Sequence, residues 1–322
     1  LSKYYFRSRN GSNQWGPQFW PRLFPNFCAG VKQSPINIDS KTVTSSNELP
    51  FSYHQFDEKA QTVVLKNTGN TVEILFEYPS QLSPLIINGG LPGVFQVTQV
   101  HYHWGRDQNS GSEHTINSIS YPLEMHVVTR NLRYKDLPEA IGKQDGIAVM
   151  SFLYRIKNNP RIGYGSQLIY NSLEKIQNPE DLVKLNSDQA FSVRDLFYNL
   201  TQTTHIGFYR YEGSLTTPSC NERVIWSVFK EIQEISDSEI QKFRKIIGLH
   251  KQQINNNYRP TQPLNGRLVK EIKKQTSKEV IVKNLLDRMK KFLMVFPRIS
   301  FLNFNGRSFD GLLELLETIG NV

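Results

Sequence analysis

The sequence predicts a globular, strand-rich fold with a few helices, and three observations predict it. Hydrophobic residues make up 38% of the 322 and aromatic residues 11%, enough for a substantial core. Short apolar runs recur between Gly, Pro and Asn, the pattern of strands and turns. Helical periodicity, by contrast, is confined to a few segments. No run approaches the roughly 18 uncharged apolar residues that span a bilayer, and no repeat of solenoid length is present.

Taken in order, the first 30 residues are aromatic and irregular. Trp15, Phe19, Trp20, Phe24 and Phe27 stand among Pro and Gly, and the segment reads as an arm on a larger body. Strands are expected at residues 61–65, 71–76, 95–103, 123–129, 147–153 and 223–230, each an apolar or β-branched run. Turn signals such as Asn67-Thr68-Gly69-Asn70 and Asn88-Gly89-Gly90 lie between them. Helices are expected at residues 165–175 and 236–247. After residues 255–267 the character changes. Thr276 and Glu279 fit a capping box, and Ile281, Leu285, Met289 and Phe292 form an apolar stripe at helical spacing. A second short helix is expected at residues 311–318, so residues 270–322 read as a helical extension that docks on the body or on a partner.

The net charge is +9, and its distribution matters more than its sum. Residues 267–291 hold nine Lys/Arg against three Asp/Glu. Such a run suits a glycan, a nucleic acid or an anionic membrane surface, although a solvated helix face is the simpler reading. No nucleic-acid module accompanies it, so nucleic acid is not an expected partner. Two cysteines, Cys28 and Cys220, do not by themselves establish a disulfide. The sequons at Asn10 and Asn199 are weak signals that together favour a secreted chain.

The chemistry concentrates in "QVHYHWG", residues 99–105. On a strand, side chains alternate faces, so His101 and His103 point one way while Tyr102 and Trp104 point the other. "LEMHVV", residues 123–128, places His126 in another apolar run. A neighbouring antiparallel strand would bring it beside the first pair. Three imidazoles and a water make an open four-coordinate zinc site. Such ligands need orienting partners, and Gln99 and Glu124 each stand two residues before a histidine. One histidine alone would read as a satisfied core residue. Three with polar neighbours on apolar strands read as a metal site.

These residues carry a resemblance. The chain resembles the α-class carbonic anhydrases through "QSPINID" (33–39), "HYHWG" (101–105), "GSEHT" (111–115), "LEMHVV", "DGIAV" (145–149), "GSLTTP" (213–218) and "YRPTQPL" (258–264). The resemblance runs from about residue 10 to 269 and is strongest to the extracellular, disulfide-containing members. It implies an α+β fold, a single large domain (residues 1–269, with the arm at 1–30) around a twisted, mostly antiparallel sheet of about ten strands with peripheral helices. The extension at 270–322 lies beyond it. The implied activity is zinc-dependent reversible hydration of carbon dioxide to bicarbonate and a proton, through attack by zinc-bound hydroxide.

The resemblance also implies roles. His101, His103 and His126 match the zinc ligands. Gln99 and Glu124 match the groups that orient them, with His114 in a further buried network. Thr216 matches the threonine that accepts a hydrogen bond from the hydroxide, and Glu113 the carboxylate that receives the threonine's proton. Val128, Val149, Leu215 and Trp226 match the apolar wall where carbon dioxide rests, and Thr217 lines the polar side. Asn70 stands where the fastest members carry a proton-shuttle histidine, and Asn cannot titrate. Neither His54 nor His205 aligns with a shuttle position, so proton export is expected to be slow. Glu73 replaces a common neutral amide on the polar wall. Cys28 and Cys220 match a disulfide of extracellular members, which with the sequons implies secretion or cell-surface display. Asp310, Glu314 and Glu317 make the tail a poor hydrophobic anchor. Membrane-surface contact and self-association are left open. The competing reading is a non-catalytic carbonic-anhydrase-like module that binds protein or glycan, typically after losing a ligand histidine. A different zinc hydrolase is a further alternative, but "HYHWGR" lacks the Asp and His that a metallo-β-lactamase-like H-x-H-x-D-H motif needs.

Overall fold

The computed structural model describes residues 16–79, 83–198, 204–273 and 275–276. The expected helices of the C-terminal extension, with the stripe from Ile281 to Phe292, lie outside these residues, as do the sequon residues Asn10 and Asn199.

The long apolar runs form the middle of a mixed, open sheet of thirteen strands. From one edge the path runs Leu182–Leu185, Thr62–Asn67, Val72–Glu77, Phe95–Trp104, Leu123–Asn131 and Ile147–Ile156, all antiparallel neighbours. Ile147–Ile156 then pairs in parallel with Val224–Phe229. The path continues antiparallel to Phe208–Gly213 and Lys270–Ile272, and ends on the parallel strand Thr44–Ser46. Phe51–His54 and Leu85–Asn88 pair beside the start of Phe95–Trp104, and Gln233–Ile235 beside the end of Ile147–Ile156. The α+β class and the mostly antiparallel sheet are as expected. Ten strands lie on this path, and three more pair beside it. Lys270–Ile272 also carries the sheet three residues past the boundary expected at residue 269.

Alternation along the long strands divides the apolar residues between two cores. Val100, Tyr102, Trp104, Met125, Val127, Met150 and Phe152 face one core. The helices Tyr164–Ser172 and Asp237–Arg244 close that core with Ile169 and Phe243. Val128, Val149, Tyr211 and Trp226 face the other, with Ile36 and Ile38. Ser236 opens the second helix with a capping box to Glu239, satisfying two otherwise orphaned N–H groups.

The expected irregular arm is, over its described part, three single helical turns, Pro17–Phe19, Trp20–Leu23 and Pro25–Cys28. Each carries a proline at its first or second position, where the missing N–H costs nothing. Cys28 is bonded to Cys220 across 192 residues, and fully buried Trp20 packs against the bridge. In the chain-entropy view, closing so long a loop stabilises the fold by up to about 5 kcal/mol. It also anchors the turn at residues 213–221, which Leu215 N–H to Asn221 O and Cys220 N–H to Thr217 O close from within.

Glu234 fixes the short strand Gln233–Ile235. Its carboxylate accepts from Lys157 Nζ at 2.7 Å, Arg155 Nη2 at 3.0 Å and the Arg161 backbone N–H at 3.0 Å. Burial alone would raise its pKa, but these donors outweigh that and hold it at about 2. A carboxyl whose folded pKa is depressed contributes stability above its unfolded pKa and loses it as pH falls towards the folded value. Glu234→Gln is therefore expected to lower the urea midpoint near about pH 7, with the gap to the parent narrowing as pH falls from about 4.5 towards 2. A gap independent of pH would show that the charge is not the stabilising feature.

Candidate metal centre

Register, not proximity in sequence, assembles the site. His101 stands directly opposite His126, Gln99 opposite Val128 and His103 opposite Glu124. On the next strand Ser151 lies beside His126 and Val149 beside Val128, and Trp226 follows beside Val149. Opposed residues of neighbouring strands share a face, so this patch of four strands presents histidines, carboxylate and apolar wall together. On the other side of Phe95–Trp104, Glu73 stands opposite His101.

Each histidine uses one ring nitrogen to hold its orientation. His101 Nδ1 donates to Gln99 Oε1 at 2.9 Å, His103 Nδ1 to the Asn257 carbonyl at 2.7 Å, and His126 Nε2 to Glu124 Oε1 at 2.6 Å. The second nitrogens face one another. His126 Nδ1 and His101 Nε2 are 3.2 Å apart, and one ligand atom from each of the three rings lies within 4.8 Å of the others. Burial lowers the proton affinity of all three, His103 to about 3, with repulsion between the rings adding to it for His101 and His103. Neutral imidazoles with converging lone pairs are the donor set that zinc takes, and three of them leave a fourth position open.

Glu124 anchors this arrangement from beneath. It is fully buried, and it accepts from the backbone N–H groups of Glu113 and His114, from His114 Nδ1, from His126 and from Ser151 Oγ, all at 2.6–2.8 Å. Burial would raise its pKa, but the adjacent His114 and His126 hold it well below the usual carboxylate range. His114 Nε2 in turn sits 2.7 Å from Tyr211 Oη, whose neighbour at 2.8 Å is Ser34 Oγ.

Glu113 and Thr216 form a second unit. Burial and the charge of Glu124 hold the Glu113 carboxyl well above the usual carboxylate range, only partly offset by a hydrogen bond from Thr216, the Arg259 N–H and the Arg259 charge. The Arg259 backbone N–H donates to Glu113 Oε1 at 2.8 Å. The Arg259 side chain is itself fully buried, donating to Gln33 Oε1 and the Ser34 carbonyl and stacked over Trp20.

A cavity of about 180 Å³ opens onto part of this site, with His103, Glu113 and Glu124 behind its wall. Gln99, His101, His126, Thr216 and Thr217 line it with Val128, Val149, Leu215 and Trp226, and Leu137, Ile141 and Ile147 add apolar surface that sequence reasoning did not single out. Asn70 is half-buried in the turn before Val72–Glu77, where its carbonyl accepts from Asn257 Nδ2 at 3.0 Å. Asn257 and Ser151 were also missed. Asn257 lies in a run of three asparagines with no local signature, yet it is fully buried and ties His103, Trp104, Tyr102 and Asn70 together.

Residues 15–273 match the family model described as eukaryotic-type carbonic anhydrase. Among curated relatives, carbonic anhydrase 15 of Mus musculus is 33% identical over 262 residues, 79% of each chain. Carbonic anhydrase 6 of Homo sapiens is 34% identical over 254 residues, 78% of each chain. Carbonic anhydrase 3 of Homo sapiens is 30% identical over 264 residues, covering 79% of this chain and 94% of its own.

Proposed function

The chain belongs to the eukaryotic-type carbonic anhydrase family, enzymes of reversible carbon dioxide hydration, and from that premise we propose that His101, His103 and His126 hold a catalytic zinc ion. The convergence of their second ring nitrogens within 4.8 Å carries this reading. Zinc held there would supply Lewis acidity, bringing a water's pKa to about 7, a value that comes with the family and not from this structure.

The protein's own residues do the rest. Gln99, the Asn257 carbonyl and Glu124 each accept one ring N–H, which fixes the tautomer and turns the other nitrogen inward. Glu113 accepts the Thr216 hydroxyl proton, so Thr216 Oγ1 presents a lone pair to the cavity. It can accept only from a nucleophilic oxygen that bears a proton, and this restricts how that oxygen is oriented. Val128, Val149, Leu215 and Trp226 offer an apolar wall to an uncharged substrate, and Thr217 lines the polar side opposite.

Proton export is the slow step in this reading, because Asn70 cannot accept and release a proton. The disulfide supports an oxidising, extracellular compartment, at the cell surface or secreted. Among the described residues no helix is long and apolar enough to cross a membrane. The non-catalytic alternative draws its support from the basic run at residues 267–291, and it is the weaker reading because none of the three histidines is replaced.

Stopped-flow carbon dioxide hydration on zinc-quantified protein, across a series of buffer concentrations, tests this reading. Turnover is expected to climb with buffer, and Asn70→His to raise it several-fold at low buffer while changing it little at high buffer. Turnover insensitive to buffer would sink the shuttle argument. Absence of turnover with a full equivalent of zinc would overturn the catalytic one.

A further inference from the structure

The sheet carries a second concentration of unspent polar groups, away from the histidines. In Phe208–Gly213, Tyr209 and Tyr211 pack into the core on the histidine face, so alternation sends Arg210 to the opposite face. Arg210 is 8% exposed, and its guanidinium lies 5.5 Å from the Phe51 ring centroid and 5.3 Å from that of Phe208. None of its three nitrogens has a hydrogen-bond partner among the described residues. Ser227 stands directly opposite Arg210 on the next strand, and its buried hydroxyl is without a partner there too. Buried donors are nearly always satisfied, and an unpaired buried cation is costly. Burial lowers the Arg210 proton affinity to about 9 despite the neighbouring Glu48 charge.

Arg210 forms part of the wall of a cavity of about 920 Å³, to which Lys32, Arg133, Arg267 and Lys270 also contribute. Most other charges in this wall are already committed. Arg133 pairs with Asp145 and Lys32 with Glu212. The Arg267 guanidinium donates to the carbonyls of Gln33, Glu212, Pro263 and Leu264. That leaves Arg210 within and exposed Lys270 at the rim, with Glu48 as the nearby carboxylate. Arg267 and Lys270 also open the basic run at residues 267–291 that the catalytic reading does not use.

We propose that this cavity is an oxyanion-binding site, in which Arg210 receives a sulfate or phosphate group and Lys270 neutralises it from the rim. The guanidinium fork matches such oxygens two at a time, and the anion would satisfy donors that the fold leaves bare. The group can arrive as a free anion or on a sulfated glycan.

Calorimetric titration of the zinc-loaded full chain with sodium sulfate, and separately with a sulfated oligosaccharide, tests the proposal, with Arg210→Met titrated alongside. Any anion bound at the histidine site is common to both proteins, so the difference isolates Arg210. Affinity is expected to fall at least about tenfold in Arg210→Met, because the charge-assisted hydrogen bonds to the anion are lost. Glu48→Gln should tighten binding and Lys270→Met weaken it. Should Arg210→Met fail to fold, the opposite shifts in Glu48→Gln and Lys270→Met decide the matter. Binding of both ligands identifies a free-anion site, and binding of the oligosaccharide alone a glycan site. Equal affinity in all variants, or no binding of either ligand, overturns the proposal. Carbon dioxide hydration in sulfate-free buffer should be unchanged in Arg210→Met, so loss of this site and loss of the catalytic reading are distinguishable.

Discussion

His126→Ala protein is expected to retain far less than one equivalent of zinc after dialysis and to hydrate carbon dioxide at least about 1000-fold more slowly than the parent, roughly 4 kcal/mol in the barrier. The reasoning rests on what the other residues can still do. His101 and His103 remain oriented by Gln99 and the Asn257 carbonyl, but two imidazoles no longer enclose a tetrahedral ion. Glu124 keeps four donors, from Glu113, His114 twice and Ser151, so the buried carboxylate stays satisfied and the sheet should still fold. Circular dichroism matching the parent, with metal content near zero, is the expected pair of results. Metal content near one equivalent with activity intact would remove His126 from the site.

How far the sequence alone revealed this site depended on whether periodicity carried the information. The pairing of His101 with His103 on one face follows from alternation within a single strand, and the structure has it. The same alternation, extended back along residues 95–103, would put Phe95 and Val97 on the histidine face. They lie instead in the opposite core. A bulge between Val97 and Gln99 inserts Thr98 as an extra residue, since Val97 faces Thr129 while Gln99 faces Val128. One unpaired residue reverses the faces of everything before it, and nothing in "FQVTQV" signals it. Asn257 was hidden for a different reason. Its contribution to His103 is a backbone carbonyl, which any residue could supply, and only the chain path from residue 244 to 259 brings it there. The arm was misread as irregular because single helical turns opened by proline have no periodicity to detect.

Thr216→Ala is expected to leave zinc content unchanged and still cost about 100-fold in turnover, the typical loss when one aligned hydrogen-bonding group is removed from a reacting oxygen. Thr216→Ser should recover most of it, because the hydroxyl and not the methyl group is the orienting element. Glu113→Gln separates orientation from mere presence. The substituted amide would offer Thr216 an N–H where the carboxylate offers an acceptor. The Thr216 proton would then turn towards the cavity, and its lone pair away from it. A loss similar to that of Thr216→Ala is therefore expected, although the hydroxyl is still in place. Since the two residues act as one unit, the double variant should be little worse than either single one. Additive losses would mean that Glu113 acts apart from Thr216, for instance through its nearby contact with His103 at 3.4 Å. Full zinc occupancy in all four variants is what separates this failure from that of His126→Ala. In one case the metal is lost, and in the other it stays while the attacking oxygen is no longer held in line.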